Sequence, residues 1–264
     1  MREKGLEHKW ELDSKMALEL DIKDRLMPTI YGGVIGDMLG VPVEFRKRGS
    51  YKVEGVTGYG TYNQKPGTWS DDTSMTFCLI QNIIEKGTTE DLMQKFVDYA
   101  EKGYMTPYGK MFDIGRTTVE SIRRFKQGIE AEECGGNTEY DNGNGALMRI
   151  APLVFLFYHN FNFIEKSKVI KSYTELTHRH PRSITGSILY LELLFRLSCN
   201  DSIEKAIENV KTAFEHYLSE DDVYRKELKN YRRIFDKDFF KTTEEEIKSS
   251  GYVVDTIEAA IWCI

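Results

Sequence analysis

The chain has 264 residues, 41% of them hydrophobic, and its 36 basic and 42 acidic side chains give a formal net charge of −6. Such a length and apolar content fill a core without disulfide staples, and the mostly interleaved, mildly acidic charge excludes nucleic acid as the main partner. No run approaches the roughly 18 apolar residues of a membrane span and the opening MREKGLEHKWELDSKM lacks an apolar signal core, so a soluble, cytoplasmic protein with no membrane partner is expected.

Residues 1–24 read as a charged helix or arm. After Pro28 comes TIYGGVIGDMLGVPVEF, in which Ile30, Val34, Ile35, Met38 and Leu39 recur at helical spacing among Gly32, Gly33, Gly36 and Gly40. Each glycine inside a helix costs about 1 kcal/mol relative to alanine, so close packing or a nearby ligand is expected to demand them. Gly49 to Gly67 reads as a loop rich in Gly, Tyr and Thr. Helices are predicted over 71–86, 90–102, 115–127, 145–159, 164–178, 182–198, 202–217, 222–232 and 253–264. Asp255 is the expected N-cap of the last, whose apolar face is Ile257, Ala260, Ile261 and Ile264. With strand alternation nearly absent and no repeat, the pattern predicts an all-α, single compact multi-helix domain over residues 25–264. Cys78, Cys134, Cys199 and Cys263 form no C-x-x-C pair, which fits reduced thiols in the cytoplasm.

Three stretches carry candidate chemistry. In GTWSDDTSMTF, Ser70 reads as an N-cap and Asp71 and Asp72 as first-turn acids favoured by the helix dipole. Two adjacent carboxylates beside the hydroxyls of Thr73, Ser74 and Thr76 also suit a hard cation such as Mg2+, Mn2+ or Ca2+, which relieves their repulsion. YDNGNGALMRIAPL puts Asn142, Gly143, Asn144 and Gly145 before an apolar helix; it reads either as a plain Asn-Gly turn or as amides for a phosphate, to which Arg149 adds a charge. It is no Walker A loop. In ELTHRHPRS, His178 and His180 read as a histidine satisfying helix-end carbonyls or as half of a zinc site whose other ligands are missing. Glu44 is either a general acid or base or a solvated loop acid.

Taken in order, GGVIGDMLGVPVEF, GTWSDDTSM, DIGRTT, NGNGALMRIAPL and THRHPRS resemble the motifs of the ADP-ribosylglycohydrolase family, from about Thr29 to the last residue. The resemblance implies an all-α hydrolase with two divalent ions, usually Mg2+ or Mn2+, that cleaves the glycosidic bond between ADP-ribose and a protein side chain or a related small compound. It implies Ser70, Asp71 and Asp72 as metal ligands, with Ser where Thr is common, Asp71 and Asp72 serving catalysis as well, and Glu44 as a catalytic acid. Asp141, Asn142, Gly143, Asn144 and Gly145 are implied as the loop around the ADP-ribose phosphates, and His178 as a substrate contact. One departure qualifies this: the family's second ligand cluster, Asp-x-Asp-Thr in a loop beyond the segment that GYVVDTIEAAIWCI resembles and followed by another apolar helix, has no counterpart before Ile264. Weak or single-ion binding, reduced activity and exposed apolar surface are the resulting expectations. The alternative to an active enzyme is an impaired homologue that binds ADP-ribose or serves structurally; an unrelated metal-dependent phosphohydrolase would need a fuller His-Asp cluster.

Overall fold

The computed structural model describes residues 22–158 and 162–264. Most of the charged arm expected over residues 1–24 therefore lies outside the described residues. The first helix, α1 (Ile22–Gly40), runs through Pro28 instead of following it, forgoing one backbone bond at that turn. Then come α2 (Asp71–Ile84), α3 (Thr89–Lys102), α4 (Arg116–Lys126), the single turn α5 (Leu147–Ile150), α6 (Phe163–Glu175), α7 (Pro181–Ser198), α8 (Ile203–Tyr217), the short α9 (Val223–Glu227) and α10 (Val253–Trp262). Only isolated β-bridges occur among the described residues, so the architecture is all-α as the sequence predicts.

The helix predicted over 145–159 is a correction: α5 gives way to a tighter 3-10 segment, Ala151–Phe157. Pro152 explains the change, because it has no N–H for the Met148 carbonyl, which accepts from Thr76 Oγ1 at 3.3 Å instead. The expected helix 222–232 likewise divides into α9 and a 3-10 segment, Leu228–Phe235.

The centre of the fold is α7. Its residues Ser183 to Leu189, Leu191 to Leu193 and Phe195 are buried, so it is enclosed on nearly every side. α6, α8, α10 and the 3-10 segment after α5 pack around it, and α2 joins through α5. One charge cluster is buried within: Lys166 pairs with Glu192, which also accepts from Arg196 Nε at 3.0 Å, while the Lys166 ammonium lies 3.9 Å from the centre of the Phe195 ring. α1 leans on α2 at the edge, and Tyr31 and Ile35 stay exposed. A Cβ added at Gly32, Gly33, Gly36 or Gly40 would meet no atom within 4 Å. The close-packing reason for these glycines therefore fails among the described residues.

Candidate functional site

α2 starts where the apolar period of MTFCLI begins, and Ser70 occupies the N-cap position with extended backbone. Its hydroxyl, however, caps nothing. The cap comes from another helix: the Asp37 carboxylate of α1 accepts from Ser70 N–H at 2.9 Å, Ser70 Oγ at 2.7 Å, Thr73 N–H at 3.1 Å and Thr73 Oγ1 at 2.6 Å. Ser70 Oγ also donates to Asp72 Oδ2 at 3.2 Å. This corrects the reading of Ser70 as the capping side chain. One charged acceptor satisfies two of the orphan N–H groups of α2 and fixes two hydroxyls besides.

Behind this cap Asp71 is buried, and burial followed by the Asp72 carboxylate holds its carboxyl well above the usual range. Burial and then the Asp37 carboxylate push Asp72 up to about 7, against a lowering hydrogen bond from Ser70. Two more acids face them. Glu44 lies in the turn after α1, its carboxyl raised by burial and then by Asp113, and Asp113, just before α4, is itself raised by burial. The Tyr62 hydroxyl is buried beside Glu44 and Asp113 with no well-formed hydrogen bond to either, and burial and these carboxylates keep it protonated. Four carboxyls, Asp71, Asp72, Glu44 and Asp113, are thus raised around the start of α2, with the Asp37 carboxylate contributing to each. That is the electrostatic state that a cation relieves.

The turn carrying Glu44 is clamped from outside. Thr61 Oγ1 donates to the Glu44 carbonyl at 2.6 Å, and Thr61 N–H donates to the Pro42 carbonyl at 3.1 Å. Gly60 makes this approach possible: its φ is +54° and a Cβ there would collide with the Pro42 carbonyl.

On the other side of the acids, the Asn-Gly loop is tied to the start of α10. Asn144 N–H donates to the Gly251 carbonyl at 2.9 Å and Val253 N–H to the Asn142 carbonyl at 2.9 Å, while Ser183 Oγ donates to Asn142 Oδ1 at 2.9 Å. The amide of Asn144 is therefore not available to a phosphate. Asp141 braces the same loop: burial works against its charge, but hydrogen bonds from Thr138 and Arg116 prevail and hold its carboxyl low. His178 is buried against Gly143 and Gly145, with Nδ1 2.8 Å from Thr177 Oγ1; burial, then Arg149, push it down to about 3, so it is neutral.

Other expectations change. Arg149 does not face the loop's open side; it is buried, donates to the Gly145 and Tyr173 carbonyls and lies 5.1 Å from the Phe96 ring centre. His180 accepts from Arg182 N–H at 3.1 Å, capping the start of α7 rather than satisfying the carbonyls of the helix before it. Asp255 sits inside the first turn of α10, where Tyr252 is the N-cap, and accepts from Ser250 Oγ at 2.6 Å. Beside Asp72 and Asn144 opens an apolar cleft of about 200 Å³ between Tyr190 and Leu194 of α7 and Ile257 and Ile261 of α10.

The structure brings Glu44, Ser70, Asp71 and Asp72 together and sets the Asn142 loop and His178 next to each other. Sequence reasoning missed Asp37, Asp113 and Tyr62. The signals for the two acids were an aspartate between glycines in GGVIGDMLG and the DIGRTT stretch. As to a metal, the donors are the hard oxygens a divalent cation takes. Among the described residues, however, no group of three or more Asp, Glu, His or Cys side chains is gathered closely enough to hold a metal ion.

Comparison with known proteins follows the same lines. A family profile described as ADP-ribosylglycohydrolase matches residues 18–264. ADP-ribosylarginine hydrolase Tri1 of Serratia proteamaculans is 30% identical over 250 residues, covering 93% of this chain and 63% of that protein. ADP-ribosyl-dinitrogen reductase glycohydrolase of Rhodospirillum rubrum is 26% identical over 216 residues, covering 77% and 70%. The chain thus spans less than two thirds of the Tri1 protein's length. A solved structure titled ADP-ribosylglycohydrolase-related protein complex superposes with a TM-score of 0.68 at 23% identity, over 90% of this chain and 74% of that one, which establishes the shared fold. With the profile spanning nearly the whole chain and the acid cluster at the head of α2, this protein belongs to the ADP-ribosylglycohydrolase family.

Proposed function

We propose that this chain hydrolyses the glycosidic bond between ADP-ribose and a protein side chain, arginine first among the candidates. The observation that carries the reading is the convergence of Glu44, Asp71 and Asp72 on one side of the start of α2, with the Asn142–Gly145 loop and neutral His178 beyond it. The names of the relatives from Serratia and Rhodospirillum support it, and that of the Serratia protein favours arginine.

Asp71 and Asp72, with Ser70, are the residues that would hold Mg2+ or Mn2+, and the bound ion would supply Lewis-acid stabilisation of sugar oxygens and water. Glu44, its carboxyl raised by burial and then by Asp113, lies close to the acid pair; it exchanges a proton with the departing side chain or the attacking water as positive charge develops on the ribose. The amides of Gly143 and Gly145 take the diphosphate, and His178, uncharged, offers an imidazole contact without competing for it. Asp141 acts on the loop from behind as a positioning residue.

The test incubates the protein with arginine-linked and serine-linked ADP-ribosyl peptides plus Mg2+ or Mn2+ and measures free ADP-ribose by chromatography. Release from the arginine peptide, lost at least a hundredfold in Glu44→Gln, is the expected result. No release with either ion and either peptide would overturn the reading and leave the binding-only alternative.

A further inference from the structure

The outer face of the site differs in charge from the rest of the chain. Residues 45–66 carry five basic side chains, Arg46, Lys47, Arg48, Lys52 and Lys65, against one acid, Glu54, and Lys110 comes from the loop after α3. Only Lys52 is taken up by that acid, at 2.7 Å. Arg48 is committed to the Glu244 and Ile247 carbonyls, at 2.7 and 2.6 Å, which pins the loop to the body of the protein. Among the described residues Arg46, Lys47, Lys65 and Lys110 make no ion pair.

Aromatic rings lie between these cations and the carboxylates. Phe45 is 83% exposed immediately after Glu44 and holds φ at +61°, a conformation costly for a bulky side chain. Its ring is 6.3 Å from Tyr62, and Tyr62 is 5.2 Å from Phe112. Beyond Phe112 an open cleft of about 460 Å³ is lined by Tyr108, Lys110, Met111 and Gln64, with the Lys65 ammonium 5.2 Å from the Tyr108 ring centre. The cleft has room for one or two side chains, and Tyr108 is 57% exposed. A continuous band thus runs from Glu44 along Phe45, Tyr62, Phe112 and Tyr108 to two unpaired lysines.

Exposed aromatics and unpaired cations around a recessed site make a surface for a macromolecule, one that steers it by charge and anchors it by ring contacts. We infer that this band docks the acidic protein segment flanking the modified side chain, with Lys65 and Lys110 reading carboxylates and Phe45 and Tyr108 as anchors. The inference rests on the proposed hydrolase reading for its orientation: the flank lies along the band while the modified residue enters at Glu44. An oligonucleotide fits less well, because the cations flank a cleft of side-chain size and form no extended basic groove that tracks a phosphate chain.

The test measures binding by fluorescence anisotropy at low salt, using labelled peptides with one arginine flanked by Asp and Glu or by Lys, unmodified and ADP-ribosylated, and a single-stranded oligonucleotide. The acid-flanked peptides should bind about tenfold more tightly than the lysine-flanked ones, with the difference shrinking as salt rises. Lys65→Glu/Lys110→Glu should abolish that preference, whereas Lys229→Glu/Lys237→Glu, the same charge change on remote exposed lysines, should preserve it. Equal affinity for both flanks, persistence of the preference in Lys65→Glu/Lys110→Glu, or tighter binding of the oligonucleotide would overturn the inference. Release of ADP-ribose is followed in parallel. Flank preference without release would sink the hydrolase reading alone, and release without flank preference would sink the docking surface alone.

Discussion

Asp37 offers the sharpest test of how this site is held. Asp37→Ala removes the acceptor of four donors, the N–H and hydroxyl of both Ser70 and Thr73. Hydrogen bonds to a charged group contribute about 1.5–3 kcal/mol each when buried, but water replaces part of this at a half-buried position, so a loss of about 3 kcal/mol is expected. A competing effect has the opposite sign: Asp37 is one of the carboxylates that raise Asp71, Asp72, Asp113 and Glu44, and its removal relieves them. The capping loss wins because it strands two N–H groups at a helix start, whereas burial already disfavours the charges on Asp71 and Asp72 and so weakens the repulsion. For a domain of this size about 3 kcal/mol corresponds to a melting temperature lower by about 6–12 °C. Urea unfolding and thermal melts at neutral pH measure it, with Asp37→Asn, which keeps one acceptor oxygen, expected to lose about half as much. If Asp37→Ala melts at or above the wild-type temperature, the repulsion dominates and the cap argument is wrong.

Gly60→Ala should unsettle the turn that bears Glu44, since φ +54° and the Pro42 carbonyl leave no room for a methyl group; a loss of about 2 kcal/mol in urea unfolding and a parallel fall in ADP-ribose release are expected. His178 sets a pH dependence: it titrates at about 3 when folded and near 6.5 when unfolded, so the unfolded chain binds the extra proton in between and stability falls as pH drops below about 6.5. From pH 7.5 to 5 the wild type should lose about 2 kcal/mol more than His178→Gln, read from denaturant melts at the two pH values. Glu192→Leu leaves the Lys166 ammonium buried without its carboxylate and should cost about 3–5 kcal/mol, of which Lys166→Met in the same chain recovers at least half by calorimetry.

What the sequence disclosed follows from how local each signal is. α2, α3 and α8 have one apolar face each and stand close to where the period of their side chains places them. The region after Gly145 was misread because its apolar period continues through Pro152, while the change to a 3-10 path depends on a missing N–H and on Thr76 from another helix. The acid pair at 71–72 was legible because both carboxylates are neighbours in the chain. Asp37 was not, since its partners lie 33 and 36 residues away and its meaning arises only when α1 is laid against α2. Net charge hid the basic rim in the same way: a total of −6 says nothing about a loop in which bases outnumber acids five to one.

The clamp made by Asp37 on one side and Gly60 with Thr61 on the other has a kinetic consequence. Glu44 and the Asp71–Asp72 pair are fixed by groups that belong to the scaffold rather than to anything the site binds. Their backbone positions are therefore set by the fold itself, and the unfavourable work of crowding like charges is done once, during folding. On the proposed hydrolase reading, little rearrangement of these acids would be needed in each cycle.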